Sequence, residues 1–478
     1  MPICEYFTSR FTTLKPPLIV PENPIKLLRK LNRRHVTFFT IGFLAWTFDA
    51  FDFFCVSLNV ISISRTFDKP TAHITWAIAI TLMLRSIGAI IFGIAGDRYG
   101  RKWPFIINII FYSMAGIASG FSRTFTQFII FRALFGIAMG GIYGNCAATA
   151  LEDAPIVTRG LLSGLLQQGY SVGFLLASIC NHLITDSQRY GWRAMFWFGG
   201  IPPLFVALWR VFLPETDAFL RVKQAREQQA SNSNETSSAM ERFLLTVRPA
   251  LHDHWPILIY LVLMMAGFNF LAHGSQDLYP TFLASTLQFS PTLITITTSV
   301  ASCGALIGGI LCGYFSSFFG RRLLILVTLI VSAALVPAYT LSEGKTIIIG
   351  AFFEQMCVQG VWGVVPVHLI ELSPVQMRSF VVGVSYQLGN LISSVSATIE
   401  AKVGEQFRKE PSALTETTSL HGEHYDYSKV IAVFLLSVYV YLFLIILIGP
   451  EKRNTDETIT EVKIKDEQKE EELEKIEV

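Results

Sequence analysis

Apolar runs of about twenty residues recur twelve times along this chain, and no other feature limits its fold as tightly. Coiled into a helix, each run reaches across the ~30 Å hydrocarbon core of a bilayer. Lipid offers a peptide group no hydrogen-bonding partner, so such runs must be helices packed side by side. Charge points the same way. Only 15% of the residues are Asp, Glu, Lys or Arg, whereas an ordinary soluble domain carries about a quarter. An all-α membrane protein in contact with the lipid bilayer is therefore expected. The net charge of +2 gives no reason to expect nucleic acid as a partner. The seven cysteines show neither CxxC nor metal-ligand spacing and read as small membrane-helix residues, so no metal is expected.

Residues 1–35 form an N-terminal tail without the apolar core of a secretory signal, and the tail ends in the basic run Lys26 to Arg34. That flank holds the amino terminus in the cytoplasm. A first half of six spans occupies 36–213, with runs at 36–62, 74–95, 104–121, 126–150, 160–184 and 193–213. Arg98, Arg101, Lys102, Arg159, Arg210 and Arg221 fall in or beside the loops that this count makes cytoplasmic. Residues 214–254 are polar and read as a flexible cytoplasmic linker, on which side the Asn234 sequon is silent. A second half occupies 255–449, with runs at 255–282, 291–316, 322–341, 346–370, 378–402 and 429–449. The loop 403–428 is external by this count, and 450–478 is a charged, solvated cytoplasmic tail.

The halves repeat. Gly93-x-x-Gly96-Asp97-Arg98-Tyr99-Gly100-Arg101-Lys102 returns as Gly313-x-x-Ser316-Ser317-Phe318-Phe319-Gly320-Arg321-Arg322, 220 residues later. Glu152-x-x-Pro155-x-x-x-Arg159 returns as Glu371-x-x-Pro374-x-x-x-Arg378 at an offset of 219. Asp49 maps onto Asn269 and Gln168 onto Gln387. Two pseudo-symmetric halves of six helices, with a site between them at mid-membrane, follow from such a repeat.

Polar residues inside the spans mark that site. Asn269, His273 and Asp277 stand four residues apart, placing an amide, an imidazole and a carboxylate on one helical face with Gln276 alongside. Facing lipid they would be costly, so the stripe lines a cavity; emergence of a helix end into water is the plainer alternative. Arg85 lies near the centre of the second span and needs an anion. A substrate carboxylate held at two points suits a guanidinium, and a standing ion pair with Asp49 or Asp52 of the first span is the other reading. Asp277 and His273 are the candidates for carrying a proton. Gln168 and Gln387 face the axis or glue helices together. Glu152, Asp153 and Glu371, beside Arg159 and Arg378, read as gating pairs at cytoplasmic helix ends. Glu400 and His368 read as structural, and His252-Asp-His254 is too short and exposed for a metal.

Gly96-Asp97-Arg98-Tyr99-Gly100-Arg101-Lys102 resembles the signature loop between helices 2 and 3 of the major facilitator superfamily. Its glycines permit a tight turn, and Asp97 and the basic residues can bridge to neighbouring helix ends. Residues 269–281 are similar to the motif N-x-x-[S/T]-H-x-[S/T]-Q-D-x-x-x-T of the fungal Jen-type lactate and pyruvate symporters. Asn269, His273, Ser275, Gln276, Asp277 and Thr281 match it, and Ala272 departs from the hydroxyl residue. The resemblance extends over Tyr143 to Asp153 and Gln387 to Asn390 but not into the tails. It implies the twelve-helix major facilitator fold and a plasma-membrane carboxylate:proton symporter, with the proton as coupling ion and no cofactor. It also implies that Arg85, Asn269, His273 and Asp277 handle substrate and proton, and that ubiquitin and endocytic adaptors act on the tails. Dicarboxylates, sialate-like acids or sugars are alternative substrates, and a non-transporting nutrient sensor is an alternative of another class. No nucleophile–base set or nucleotide loop appears, which disfavours an enzyme or an ATP-driven pump.

Overall fold

The computed structural model describes residues 9–10, 12–14, 22–185, 191–232, 239–342, 344–404 and 427–453. Cys4, the Asn234 sequon, most of the loop 403–428 and the tail from Asn454 lie outside the described residues. Regular structure among the described residues is helical throughout. Twelve long helices carry the fold. In the first half they are α1 (Arg33–Leu58), α2 (Thr71–Tyr99), α3 (Lys102–Phe121), α4 (Phe125–Leu151), α5 (Arg159–Thr185) and α6 (Arg193–Val211). In the second they are α7 (Ala239–Gln276), α8 (Pro291–Phe319), α9 (Arg321–Thr340), α10 (Ile347–Leu372), α11 (Arg378–Ser393) and α12 (Tyr427–Ile448). Ten are long and apolar enough to cross a membrane. The other two, α5 and α11, bury Ser163, Gln167 and Gln168 and Ser385, Gln387 and Asn390. Large apolar side chains point outward around the bundle, among them Ile91 of α2, Met114 of α3, Phe205 of α6 and Val440 of α12. Such a belt faces lipid at no cost and water only at great cost.

The pairing of helices obeys the repeat. In one half α2 packs on α4, α3 on α6 and α1 on α5; in the other α8 packs on α10, α9 on α12 and α7 on α11. Two seams join the halves, α2 against α11 and α5 against α8, with α4 and α10 closing behind them. This is the two-fold layout expected from the sequence.

Three boundaries differ from the expected spans. Helix α1 stops at Leu58, and a short helix, Val60–Phe67, follows. Asn59 marks the join, where its amide donates to the Cys55 carbonyl (3.0 Å) and to Asn181 (2.7 Å). Helix α7 begins at Ala239 and runs without a break from the linker into the bundle. It ends at Gln276 because Pro280 has no N–H to offer the Gln276 carbonyl, and a short helix, Tyr279–Ser285, takes over. Helix α11 also breaks, resuming as Ser396–Gly404. There the Ser393 and Ser394 hydroxyls donate back to the Asn390 and Leu391 carbonyls, competing with the helix's own bonds.

One end of the bundle carries the α2–α3 and α8–α9 loops, here called the basic end. Gly100 and Gly320 open both turns at φ 102°, which L side chains avoid. A short helix, Pro24–Arg29, lies across this end. Its Leu27 is fully buried among Leu161 of α5 and Tyr314 and Phe318 of α8, so it wedges into the second seam. The Tyr314 hydroxyl donates to the Glu22 carbonyl, and Arg322 donates to the Arg10 carbonyl and the Thr13 hydroxyl (both 3.3 Å).

Candidate functional site

The interior of the first half holds two acids and two bases. Asp49 and Asp52 come from α1, Arg85 from α2 and Arg132 from α4, and none is more than 2% exposed. Asp52 and Arg132 pair at 3.1 Å, and the Arg132 guanidinium lies 4.0 Å from the centre of the Phe135 ring. Arg85 and Asp49 form no such pair. Both carboxylate oxygens of Asp49, and Nε and Nη2 of Arg85, find no hydrogen-bond partner within the protein. The Arg85 guanidinium rests over the Phe53 ring at 5.5 Å. The alternative reading, a standing ion pair between Arg85 and the first helix, is not what forms: Asp52 pairs with Arg132, a residue not singled out from sequence. Its signal was available, since Arg132 interrupts the apolar run of α4 as Arg85 interrupts that of α2.

Aromatic rings from both halves meet beside Arg85. Trp46 of α1 lies 5.1 Å from Tyr143 of α4, 5.7 Å from Tyr170 of α5 and 6.2 Å from Tyr386 of α11. Tyr143 and Tyr386 stack at 4.1 Å across the halves, and Trp362 of α10 stands 6.0 Å from Tyr386. Trp46 Nε1, Trp362 Nε1 and the Tyr143 hydroxyl are buried without a protein partner. So are both amide atoms of Gln168 and of Gln387. Gln168 lies against Gly309 of α8, while the Gln387 carbonyl accepts from Ser86 of α2 at 3.4 Å. Unsatisfied buried polar atoms are rare in native proteins, and a concentration of them marks a place built to hold something polar.

Toward the end opposite the basic loops, α7 supplies the stripe seen in the sequence. His273 Nδ1 bonds to Asp277 at 2.9 Å and its Nε2 to the Asn390 amide oxygen of α11 at 3.1 Å. The His273 and Asp277 side chains are 25% and 45% exposed, so this pair, unlike Arg85, reaches the surface of the bundle. Gln276 donates to Gln355 of α10 at 2.9 Å, and Gln355 in turn reaches the Ser275 carbonyl and the Tyr339 hydroxyl, both at 3.4 Å. Asn269 is buried, and its amide donates to the Met265 carbonyl of its own helix at 2.8 Å.

At the basic end the repeated motif is a pair of charge clusters. Arg101 bonds to Glu152 (3.0 Å) and Asp97 (2.5 Å), and Arg321 to Glu371 (3.0 Å), Ser316 (2.6 Å) and Ser317 (3.1 Å). The two glutamates thus pair with the motif arginines and not with Arg159 and Arg378. Arg159 instead donates to the carbonyls of Ala154 (3.0 Å) and Glu152 (2.8 Å). Asp97 accepts from the backbone N–H groups of Ser379 (3.1 Å) and Phe380 (2.8 Å) at the start of α11, the bridge to a neighbouring helix end that its position suggested. Asp153 accepts from the N–H groups of Asp217 and Ala218, both at 2.8 Å. Two further glutamates were not singled out from sequence. Glu215 and Glu451 each accept two backbone N–H bonds at the first residues of α3 and α9. Burial lifts the Glu451 carboxyl above its usual range, and those bonds pull it back. Arg98 lies over Tyr99 at 4.6 Å, and Gly96 packs close to Ser379. No group of three or more potential metal ligands exists among the described residues.

A sequence model of the family described as sugar (and other) transporter matches residues 37–447. The chain belongs to that family. Its relatives include a carboxylic acid transporter protein homolog of Saccharomyces cerevisiae, 36% identical over 95% of this chain and 75% of the relative. A cis,cis-muconate transport protein of Acinetobacter baylyi is 28% identical over 76% and 86%, and a sialic acid transporter of Escherichia coli 27% identical over 73% and 82%. Among solved structures, a proton:xylose symporter of the major facilitator superfamily superposes with a TM-score of 0.68 over 88% of this chain and 97% of that one. At 18% identity that likeness speaks to fold alone. The chain is thus a multi-pass transporter of that family with the major facilitator fold, and not an enzyme.

Proposed function

We infer that this transporter is a Jen-type symporter that imports short-chain monocarboxylates such as lactate and pyruvate together with a proton, across a plasma membrane with both termini in the cytoplasm. Arg85 carries the reading: a buried guanidinium at mid-helix, without a carboxylate partner, beside an acid–base pair that is already closed. Such a group is costly empty and offers two parallel N–H donors to a carboxylate. The 36% identical yeast relative, a carboxylic acid transporter homolog, supports an acid as cargo. The hydrogen-bonded His273–Asp277 pair, open to solvent, supports proton loading from the outer side.

In this account the outer cavity takes a proton at Asp277 or His273 and a monoanion at Arg85. The loaded cavity carries no added charge, and the halves then rock about the seams to release both inward. One proton with one monoanion is electroneutral, so the pH and substrate gradients drive the cycle. Uptake of labelled lactate, succinate and glucose by cells without their own permeases tests it. Lactate uptake that rises as external pH falls and collapses with a protonophore is expected. Glucose uptake equal to that of lactate, or lactate uptake indifferent to the proton gradient, overturns it.

A further inference from the structure

Glu400 belongs to none of the groups described so far. It sits in the helix Ser396–Gly404, beyond the break in α11, and is fully buried. Neither carboxylate oxygen has a hydrogen-bond partner within the protein, and no Lys or Arg among the described residues pairs with it. Its helix packs against α7 and α12. Where it meets α7 the chain has Gly274, between His273 and Asp277 in sequence; a Cβ there would lie 3.1 Å from Glu400 Oε1 and 2.3 Å from the Phe434 ring of α12. The absence of a side chain at 274 thus lets the Glu400 carboxyl reach the turn of α7 that bears the imidazole–carboxylate pair. Among the groups facing it, α7 contributes the Asp277 charge, α9 the Tyr339 phenol and α12 only the Phe434 ring.

A buried carboxylate with no cation and no donor is unfavourable, and a second carboxyl group beside it offers no compensation. We propose that Glu400 is a proton-binding member of the loading site, sharing protons with Asp277 and His273 as one coupled cluster. The proposal rests on the symport reading and extends it. Glu400 holds a proton while Asp277 and His273 bond to each other. When substrate and the mobile proton leave, the three groups redistribute what remains, so the proton affinity of the site belongs to the cluster and not to one residue. The step is a transfer between oxygen and nitrogen atoms of the cluster and solvent, with no other bond made or broken.

The test is the pH profile of lactate uptake in the full-length protein, with surface level measured alongside. Glu400→Gln keeps shape and removes titration. It is expected to move the midpoint of the uptake profile by about one pH unit or to flatten it. Glu400→Asp should restore a pH-dependent profile with a displaced midpoint. A Glu400→Gln profile that superposes on the parent's overturns the assignment and leaves Glu400 structural. Should Glu400→Gln fail to reach the surface, Glu400→Asp decides alone, an unshifted profile counting against the proposal. A parent with no proton dependence would overturn the symport reading first, and the role of Glu400 with it.

Discussion

The two seams between the halves occupy equivalent places and are fastened differently. At the α2–α11 seam, Asp97 accepts two backbone N–H bonds from the start of α11 while holding Arg101. At the α5–α8 seam the corresponding residue is Ser317, which donates nothing across and lies against Gly160. Here the helices close on glycine: a Cβ at Gly164 would stand 2.5 Å from the Gly309 carbonyl, and one at Gly313 2.6 Å from the Gly164 Cα. One seam is latched by a charge and the other by contact. The interiors divide in a similar way. The first half buries its arginines with Asp49 and Asp52, and the second offers His273, Asp277 and the amides around them. The repeat keeps the scaffold and its bracing glutamates, while the buried aspartate–arginine groups and the imidazole–carboxylate pair lie in different halves.

The largest expected effect comes from the second half. Asp277→Asn fixes a neutral group, so uphill lactate accumulation driven by an imposed pH gradient should vanish while exchange of internal for external substrate survives. Accumulation near the parental level would leave Asp277 as a helix-end residue and erase the division. Next comes the first half. Arg85→Lys keeps the charge and loses the planar two-point contact. Loss of one hydrogen bond to a charged group costs about 1.5–3 kcal/mol, so uptake should fall at least about tenfold with surface level unchanged. A fall within twofold would remove Arg85 from substrate binding. The seams give the smallest effects. Asp97→Asn weakens the charged latch and should raise labelling of a cysteine placed at Leu161 by a small thiol reagent from the basic end, about tenfold. Gly164→Ala presses a methyl group against the Gly309 carbonyl in the other seam, where overpacking costs about 1–3 kcal/mol, and should raise the same labelling to a similar or lesser extent. Equal labelling in parent and variants would show that neither seam governs opening of that end.

Much of this was legible beforehand because hydropathy and repetition are one-dimensional signals. The twelve runs, the two halves and the reach of Asp97 toward a helix end could all be read along the chain. The α7 stripe could be read too, since His273 and Asp277 bond within a single turn. Partners from distant helices were the difficulty. Glu152 was placed beside Arg159, its near neighbour in sequence, whereas the ion pair forms with Arg101, 51 residues away. Asp52 finds Arg132 over 80 residues, and nothing local announces it. Helix breaks were missed for another reason. At Ser393 and Asn59 the interruption comes from side-chain bonds to the backbone, which hydropathy does not register.

Leu27 has a consequence for speed. It is wedged between Leu161 and the pair Tyr314 and Phe318, so any rocking that parts α5 from α8 at the basic end must first unseat it. Burial of a leucine side chain is worth about 1.5–3 kcal/mol, a sum that has to be supplied on each opening and is returned on each closure. The short helix Pro24–Arg29 is thus coupled to any parting of α5 from α8 at this end. Shaving Leu27 to alanine would lower the cost of parting the helices at the basic end, trading tightness of closure for ease of opening.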